Sequence, residues 1–230
     1  MFQFREFSIA NDRAALKVGT DAVLLGAAMS IPGTCRHALD IGTGTGVIAL
    51  MLAQRCPGAS IEAIDIDGPS AEEAADNFAA SPWAERLDAR HVALSDYTPA
   101  RELDLIFSNP PYYDNSLLNP DARESTARHT QELHYRDIAA FAAEHLSAEG
   151  QLSLILPSEC EKDLLRCAGS FGLHPFRLLH IRTTARKQPR RMIAEFRRGT
   201  GFTAEESELV LQDGAARTPE YNQLTKSFYL

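Results

Sequence analysis

Apolar and polar positions follow two distinct rhythms along this chain. The opening FQFREFSI (2–9) places an aromatic or aliphatic residue at nearly every second position, the period of a half-buried strand. An apolar stretch from Ala22 to Ile31 predicts a short helix, with Asp21 placed as an N-cap and Pro32-Gly33 as the stop. From residue 37 onward, short apolar runs alternate with helical patterns. HALDI (37–41), SIEAID (60–65), LDARHVAL (87–94), LDLIFS (103–108) and QLSLILP (151–157) read as strands. VIALMLAQRC (47–56), SAEEAADNFAA (70–80) and YRDIAAFAAEHL (135–146) read as helices between them. Such alternation marks βαβ units and a parallel sheet. HPFRLLHI (174–181) and RMIAEF (191–196) lie close enough in sequence to form an antiparallel hairpin, with ARKQPR (185–190) at its turn. The predicted fold is α/β, with a doubly wound, mostly parallel sheet of seven strands and a C-terminal antiparallel hairpin. A length of 230 residues fits one domain. Residues 34–200 form its core, 1–33 an N-terminal strand and helix segment, and 201–230 an extension.

Composition changes this picture little. A hydrophobic share of 44% and a charged share of 23% are ordinary for a soluble protein. Cys35, Cys56, Cys160 and Cys167 form no CxxC pair, so neither a zinc site nor a disulfide framework is indicated. No run has the length of a membrane span, and the Ala22–Ile31 stretch begins too far from Met1 for a signal peptide. The expectation is a cytoplasmic, monomeric protein without metal. A formal charge of −8 argues against nucleic acid as a partner. Its distribution argues the other way, because residues 177–198 hold eight Lys/Arg and a single acid, Glu195. Arg182, Arg186, Lys187, Arg190 and Arg191 cluster around the expected hairpin turn and are the candidate RNA contacts.

Two motifs carry chemistry. LDIGTGTG sets Asp40, Gly42, Thr43, Gly44 and Gly46 between the first core strand and the next helix. Glycine there lets the backbone turn tightly and approach a ligand. A dinucleotide fingerprint needs glycine where Val47 stands, and a P-loop needs G-K-[ST], which is absent. Asp40 repels a pyrophosphate yet suits a ligand bearing cationic groups, such as the ammonium and sulfonium of S-adenosylmethionine. Asp65 ends the next strand, 23 residues after Gly42, where an acid accepts from both ribose hydroxyls. Ile66 follows it, and Asp96 closes the third strand, placed to accept from the cofactor's adenine amine.

The second motif, SNPPY (108–112), leaves the fourth strand at its C-terminal end, the edge where open α/β sheets bind ligands. An exocyclic amine on a heteroaromatic ring is a poor nucleophile, because its lone pair is delocalised. The Asn109 side-chain oxygen and the Pro110 carbonyl can accept its two hydrogens and aim the lone pair at a methyl donor. Pro111 stiffens the loop, and Tyr112 is placed to stack on a base held out of its strand. His129 and His134 lack the spacing of a helical metal pair, and Cys160 has no partner motif for covalent catalysis.

DIGTGTG, AIDID and SNPPY in this order resemble Rossmann-like class I methyltransferases acting on amino groups. More closely, the chain resembles the bacterial tRNA1(Val) adenine-37 N6-methyltransferases, through FQFREFSIANDRAALKVGTDAVLLGA at the start, ARHTQELHYRDI in the middle and TPEYNQLTKSFYL at the end. The resemblance implies S-adenosylmethionine as cofactor and tRNA as substrate. It also implies that KVGTDA packs over the cofactor, bringing Lys17 and Thr20 near it. Release-factor glutamine methyltransferases share NPPY but carry a helical domain ahead of the glycine loop, where only 39 residues precede Asp40 here. A guanine-N2 rRNA methyltransferase stays open, as does a non-catalytic RNA-binding protein on an inactive methyltransferase fold. A DNA adenine methyltransferase needs a target-reading domain for which there is no room.

Overall fold

The computed structural model describes residues 1–15, 17–111 and 133–229. The chain opens with a small antiparallel pair, β1 (Phe2–Gln3) and β2 (Ser8–Ile9), followed by helix α1 (Thr20–Ala28). The core then alternates as β3 (His37–Ile41), α2 (Val47–Arg55), β4 (Ser60–Asp65), α3 (Gly68–Ala79), β5 (Leu87–His91) and β6 (Leu103–Ser108). Beyond residue 132 come α4 (Tyr135–His145), β7 (Leu146–Pro157), α5 (Glu161–Ser170), β8 (Leu173–Thr184) and β9 (Arg191–Arg198). The chain finishes with β10 (Glu205–Asp213), β11 (Ala216–Arg217) and α6 (Pro219–Thr225).

Nine strands among the described residues form one sheet in the order β11-β10-β8-β9-β7-β6-β3-β4-β5. The seven strands expected from the pattern make its body. β3, β4, β5, β6 and β7 run parallel, while β9 lies antiparallel between β7 and β8. The expected hairpin is therefore present, with its second strand inserted into the sheet. β10 and β11 enlarge the sheet to nine, because β10 pairs with the edge that β8 otherwise leaves open.

Each face buries its own cluster. α1, α2, α3 and α6 cover one around Leu50, Met51 and Phe107, and α4 and α5 cover the other around Ile106, Leu154 and Phe196. Alternation sorts the residues: Leu152, Leu154 and Leu156 of β7 face one side, and Ser153 and Ile155 the other. α1 is buried from Ala22 to Ala27 because it is sandwiched between the sheet and α2. Gly26 permits that approach, since a Cβ there meets Met51 Sδ at 2.6 Å.

The residues around α1 depart from expectation. Gly19, not Asp21, is its N-cap, and the helix ends at Ala28, short of Pro32. Asp21 lies in the first turn, where its carboxylate accepts from Arg191 Nε at 2.7 Å. The other end rests on a row of polar side chains crossing three strands. Ser153, Glu195 and Arg177 are register neighbours on β7, β9 and β8. Glu195 is fully buried and accepts from Arg177 Nη1 at 2.6 Å, from the Ser153 hydroxyl and from the Ser30 N–H and hydroxyl. Arg177 also donates to the Ala28 carbonyl, and Arg55 to those of Gly26 and Met29. Carbonyls that the last helical turn leaves unpaired are thus met by cations. No helix among the described residues is long and apolar enough to cross a membrane.

Candidate active site

The loop between β3 and α2 is shaped by three glycines in the left-handed region, Gly42 (φ 71°), Gly44 (φ 57°) and Gly46 (φ 81°). Two successive N–H groups, of Gly42 and Thr43, donate to the Ile64 carbonyl, which lashes the loop to the end of β4. Asp65, the last residue of β4, accepts from Gly44 N–H at 2.8 Å through one oxygen and from Asp67 N–H through the other. Burial raises the Asp65 carboxyl above its ordinary range, against the pull of those N–H groups. Each oxygen keeps a lone pair for a ligand.

These residues open onto a cavity of about 880 Å³. Gly42, Thr43, Gly44, Asp65 and Ile66 line it, and Asn109 and Pro111 bring the turn after β6 to the same wall. The Ser108 hydroxyl, buried, donates to the Ile41 carbonyl and ties the two strand ends together. The cavity therefore spans the reversal of strand order between β3 and β6, where doubly wound sheets take their ligands.

Two residues of the glycine motif sit behind the wall. Asp40 is fully buried, with Oδ2 accepting from the Thr43 hydroxyl at 2.8 Å. Its Oδ1 has no hydrogen-bond partner among the described residues. Gly46 starts α2 against the Phe78 ring, which a Cβ would meet at 2.5 Å; its role is packing.

A family model described as the methyltransferase small domain matches residues 14–165. The chain is 40% identical over 233 residues to the tRNA1(Val) (adenine(37)-N6)-methyltransferase of Flavobacterium johnsoniae, an alignment covering 100% of this chain and 99% of that one. It is 39% identical over 229 residues to the protein of the same name from Phocaeicola vulgatus, covering 100% and 97%. The chain belongs to the tRNA1(Val) (adenine(37)-N6)-methyltransferase family.

Members of that methyltransferase family share a fold with many others. A crystal structure described as a predicted O-methyltransferase from Agrobacterium tumefaciens superposes with a TM-score of 0.71 at 18% identity, over 90% of this chain and 96% of that one. The glycopeptide N-methyltransferase MtfA gives a TM-score of 0.55 at 10% identity, over 73% and 89%. At such identities the likeness establishes the class I methyltransferase fold alone.

The remaining residues singled out in the sequence divide. Lys17 lines the cavity and donates through Nζ to the Asp12 carbonyl at 2.8 Å. Thr20, the first residue of α1, is exposed and off the wall. Asp96 is also off the wall, because β5 ends at His91 and a 3-10 turn over Leu94–Asp96 follows. Tyr97 is buried beneath that turn and donates to Glu62, which leaves Asp96 exposed beside the Ser95 hydroxyl. Leu94 and Ser95 take the wall position instead. Pro110 is outside the lining between Asn109 and Pro111. Tyr112 and His129 lie outside the described residues.

Pattern reading missed the contribution of helices. Asp137, Phe141 and Glu144 of α4 line the far wall at the spacing of one helical face. Asp67 and Ser70, at the start of α3, line the near one.

Proposed function

We propose that this chain transfers a methyl group from S-adenosylmethionine to the N6 amine of adenine 37 in tRNA1(Val). The observation that carries the reading is that Asn109 and the glycine loop with Asp65 share one cavity. Full-length likeness to proteins named for that reaction supports the choice of RNA.

The residues present fit the cofactor. Asp65 is placed for ribose hydroxyls, the exposed Ile66 for a flat base, and the buried Asp40 for positive charge behind the glycine loop. When bound, the cofactor supplies an electrophilic methyl group on a sulfonium. The chain supplies placement. Asn109 Oδ1, on the cavity wall, accepts an amine hydrogen, so the nitrogen lone pair turns out of conjugation and points along one line. The apolar wall formed by Ile41, Ile64 and Phe141 excludes water from that line.

The RNA approaches along the edge that carries the cavity. β7 ends at Pro157, opposite Arg191 at the start of β9, so the turn joining β8 to β9 projects from the same edge as Asn109. At about 4.8 Å per strand, the turn stands roughly 10–15 Å from the end of β6. Arg186, Lys187 and Arg190 are exposed there. Arg182 and Arg191, expected beside them, are held by acids: Arg182 donates to Glu208 at 2.6 Å and Arg191 to Asp21. The phosphate-binding group is accordingly the three residues of the tip.

Incubating purified protein with tRNA1(Val) transcript and labelled cofactor, followed by nucleoside mass spectrometry, tests the proposal. N6-methyladenosine is expected in the parent transcript and absent when adenine 37 is replaced by guanine. A methylated guanine, or label on a release-factor glutamine, overturns it.

A further inference from the structure

The segment between β2 and α1 contributes Ala15 and Lys17 to the cavity wall, as a strap beside the glycine loop. Its described residues include few apolar anchors, and their backbone is held by one face of α3. Glu73 is fully buried; its Oε1 accepts from the N–H groups of Asp12 at 2.8 Å and Arg13 at 2.9 Å, and Oε2 from Ala14 at 2.8 Å. Three residues earlier, the Ser70 hydroxyl accepts from Ala15 N–H and donates to Asp67. Four residues later, Asn77 accepts from Ala10 N–H at 2.7 Å and donates to the Ala10 carbonyl at 3.0 Å and to the Thr45 carbonyl at 2.9 Å. Positions 70, 73 and 77 share one helical face. That face joins the strap to the glycine loop, two walls of one cavity.

Burial works against the charge on Glu73, and the N–H groups of Arg13, Asp12 and Ala14 outweigh it, holding the carboxyl below its ordinary range. Ionised, it satisfies three consecutive donors that no strand among the described residues is placed to meet. A glutamine has the same shape but a single acceptor oxygen, and turns its NH₂ toward one of those donors.

We propose that Glu73 is a positioning residue: through the backbone of residues 12–14 it sets Ala15 and Lys17 against the glycine loop, and thereby sets the affinity of the cavity for its cofactor. The inference rests on the reading of that cavity as the S-adenosylmethionine site. Loss of folded protein lowers kcat in proportion and leaves KM alone, whereas a displaced strap raises KM for the cofactor and leaves kcat.

The test is calorimetric binding of S-adenosylmethionine to the parent and to Glu73→Gln, with steady-state methylation over a range of cofactor concentrations. Both Kd and KM are expected to rise roughly tenfold, the loss of one charge-assisted hydrogen bond, with kcat within twofold. Unchanged Kd and KM overturn the proposal, and so does a fall in kcat at constant KM. A parent that fails to bind the cofactor overturns the functional reading instead. The clamp is then judged by hydrogen exchange, where unprotected amides at Asp12, Arg13 and Ala14 in the parent refute it. Should Glu73→Gln not fold, Asn77→Asp reads the same joint, because it replaces two donated bonds by repulsion and leaves Glu73 intact. The same tenfold rise supports the proposal, and its absence overturns it.

Discussion

Asp40 is a carboxylate that the fold stabilises poorly and the glycine loop is built upon. Burial first, then the charge of Asp65, push it up to about 7, with the Thr43 hydroxyl opposing. The folded protein thus keeps a proton that the unfolded chain releases near pH 4. The stability tied to that proton is complete below about pH 4 and is lost as the pH rises to about 7. Asp40→Asn removes the loss: above pH 7 the unliganded variant is expected to melt higher than the parent, by on the order of 2–4 kcal/mol, with a flatter dependence between pH 4 and 7. Its affinity for a cationic cofactor should fall at the same time, a divergence that thermal melting and calorimetry read on one sample. Asn109→Ala makes the opposite pairing. It should keep the fold and most RNA affinity and lose about two to three orders of magnitude in kcat, as for removal of one preorganised polar group; single-turnover methylation is the measurement. That the turn after β6 and Asp65 line one cavity was legible because motif and strand end coincide. Asp96 was misplaced because its strand stops three residues earlier than the apolar run LDARHVAL implies.

Elements show what pattern reading resolves and what it does not. The β8–β9 pair was visible as two apolar runs flanking a charged hexapeptide, yet no periodicity reveals that β9 slots inside the sheet. Nor does alternation announce that the lone acid of the basic stretch, Glu195, is buried against Arg177 instead of diluting the surface charge. α3 was legible as a helix from its pattern alone; that its core-facing positions include Ser70, Glu73 and Asn77 signals backbone to be held nearby. The hairpin tip carries a prediction at this scale. Replacing Arg186, Lys187 and Arg190 by alanine should weaken tRNA binding and flatten its logarithmic salt dependence by about 0.7–0.9 for each phosphate no longer neutralised. Cofactor affinity should not move. Filter binding across a salt series reads the slope, and an unchanged one places the RNA surface elsewhere. Arg182 and Arg191 are left in place because their ion pairs serve β10 and α1.

At the scale of the molecule, the first and last segments meet in space. Phe4 stacks between Phe7 and Tyr229, Phe7 meets Trp83 edge-on, and Arg5 N–H donates to the Phe228 carbonyl. Phe228 is 1% exposed, and Phe228→Ala should cost about 3–5 kcal/mol in urea unfolding. Because this cluster lies immediately before the strap, the variant should also bind the cofactor more weakly. That meeting has a consequence for how the protein is made. Arg5 and its partner Tyr229 are 224 residues apart, so a ribosome adding about 5–20 residues per second keeps the N-terminal segment waiting roughly 10–45 s for its other half. The parallel strands and α3, which holds the strap from Ala10, are made long before then, but Phe4 and Arg5 ahead of the strap meet Phe228 and Tyr229 only once those residues emerge. On stalled nascent chains ending before residue 219, a protease should cut within residues 2–9 and spare β3 to β7. Chains extended past residue 229 should close that window, so the emergence of α6 and the residues after it is the event that anchors the N-terminal pair.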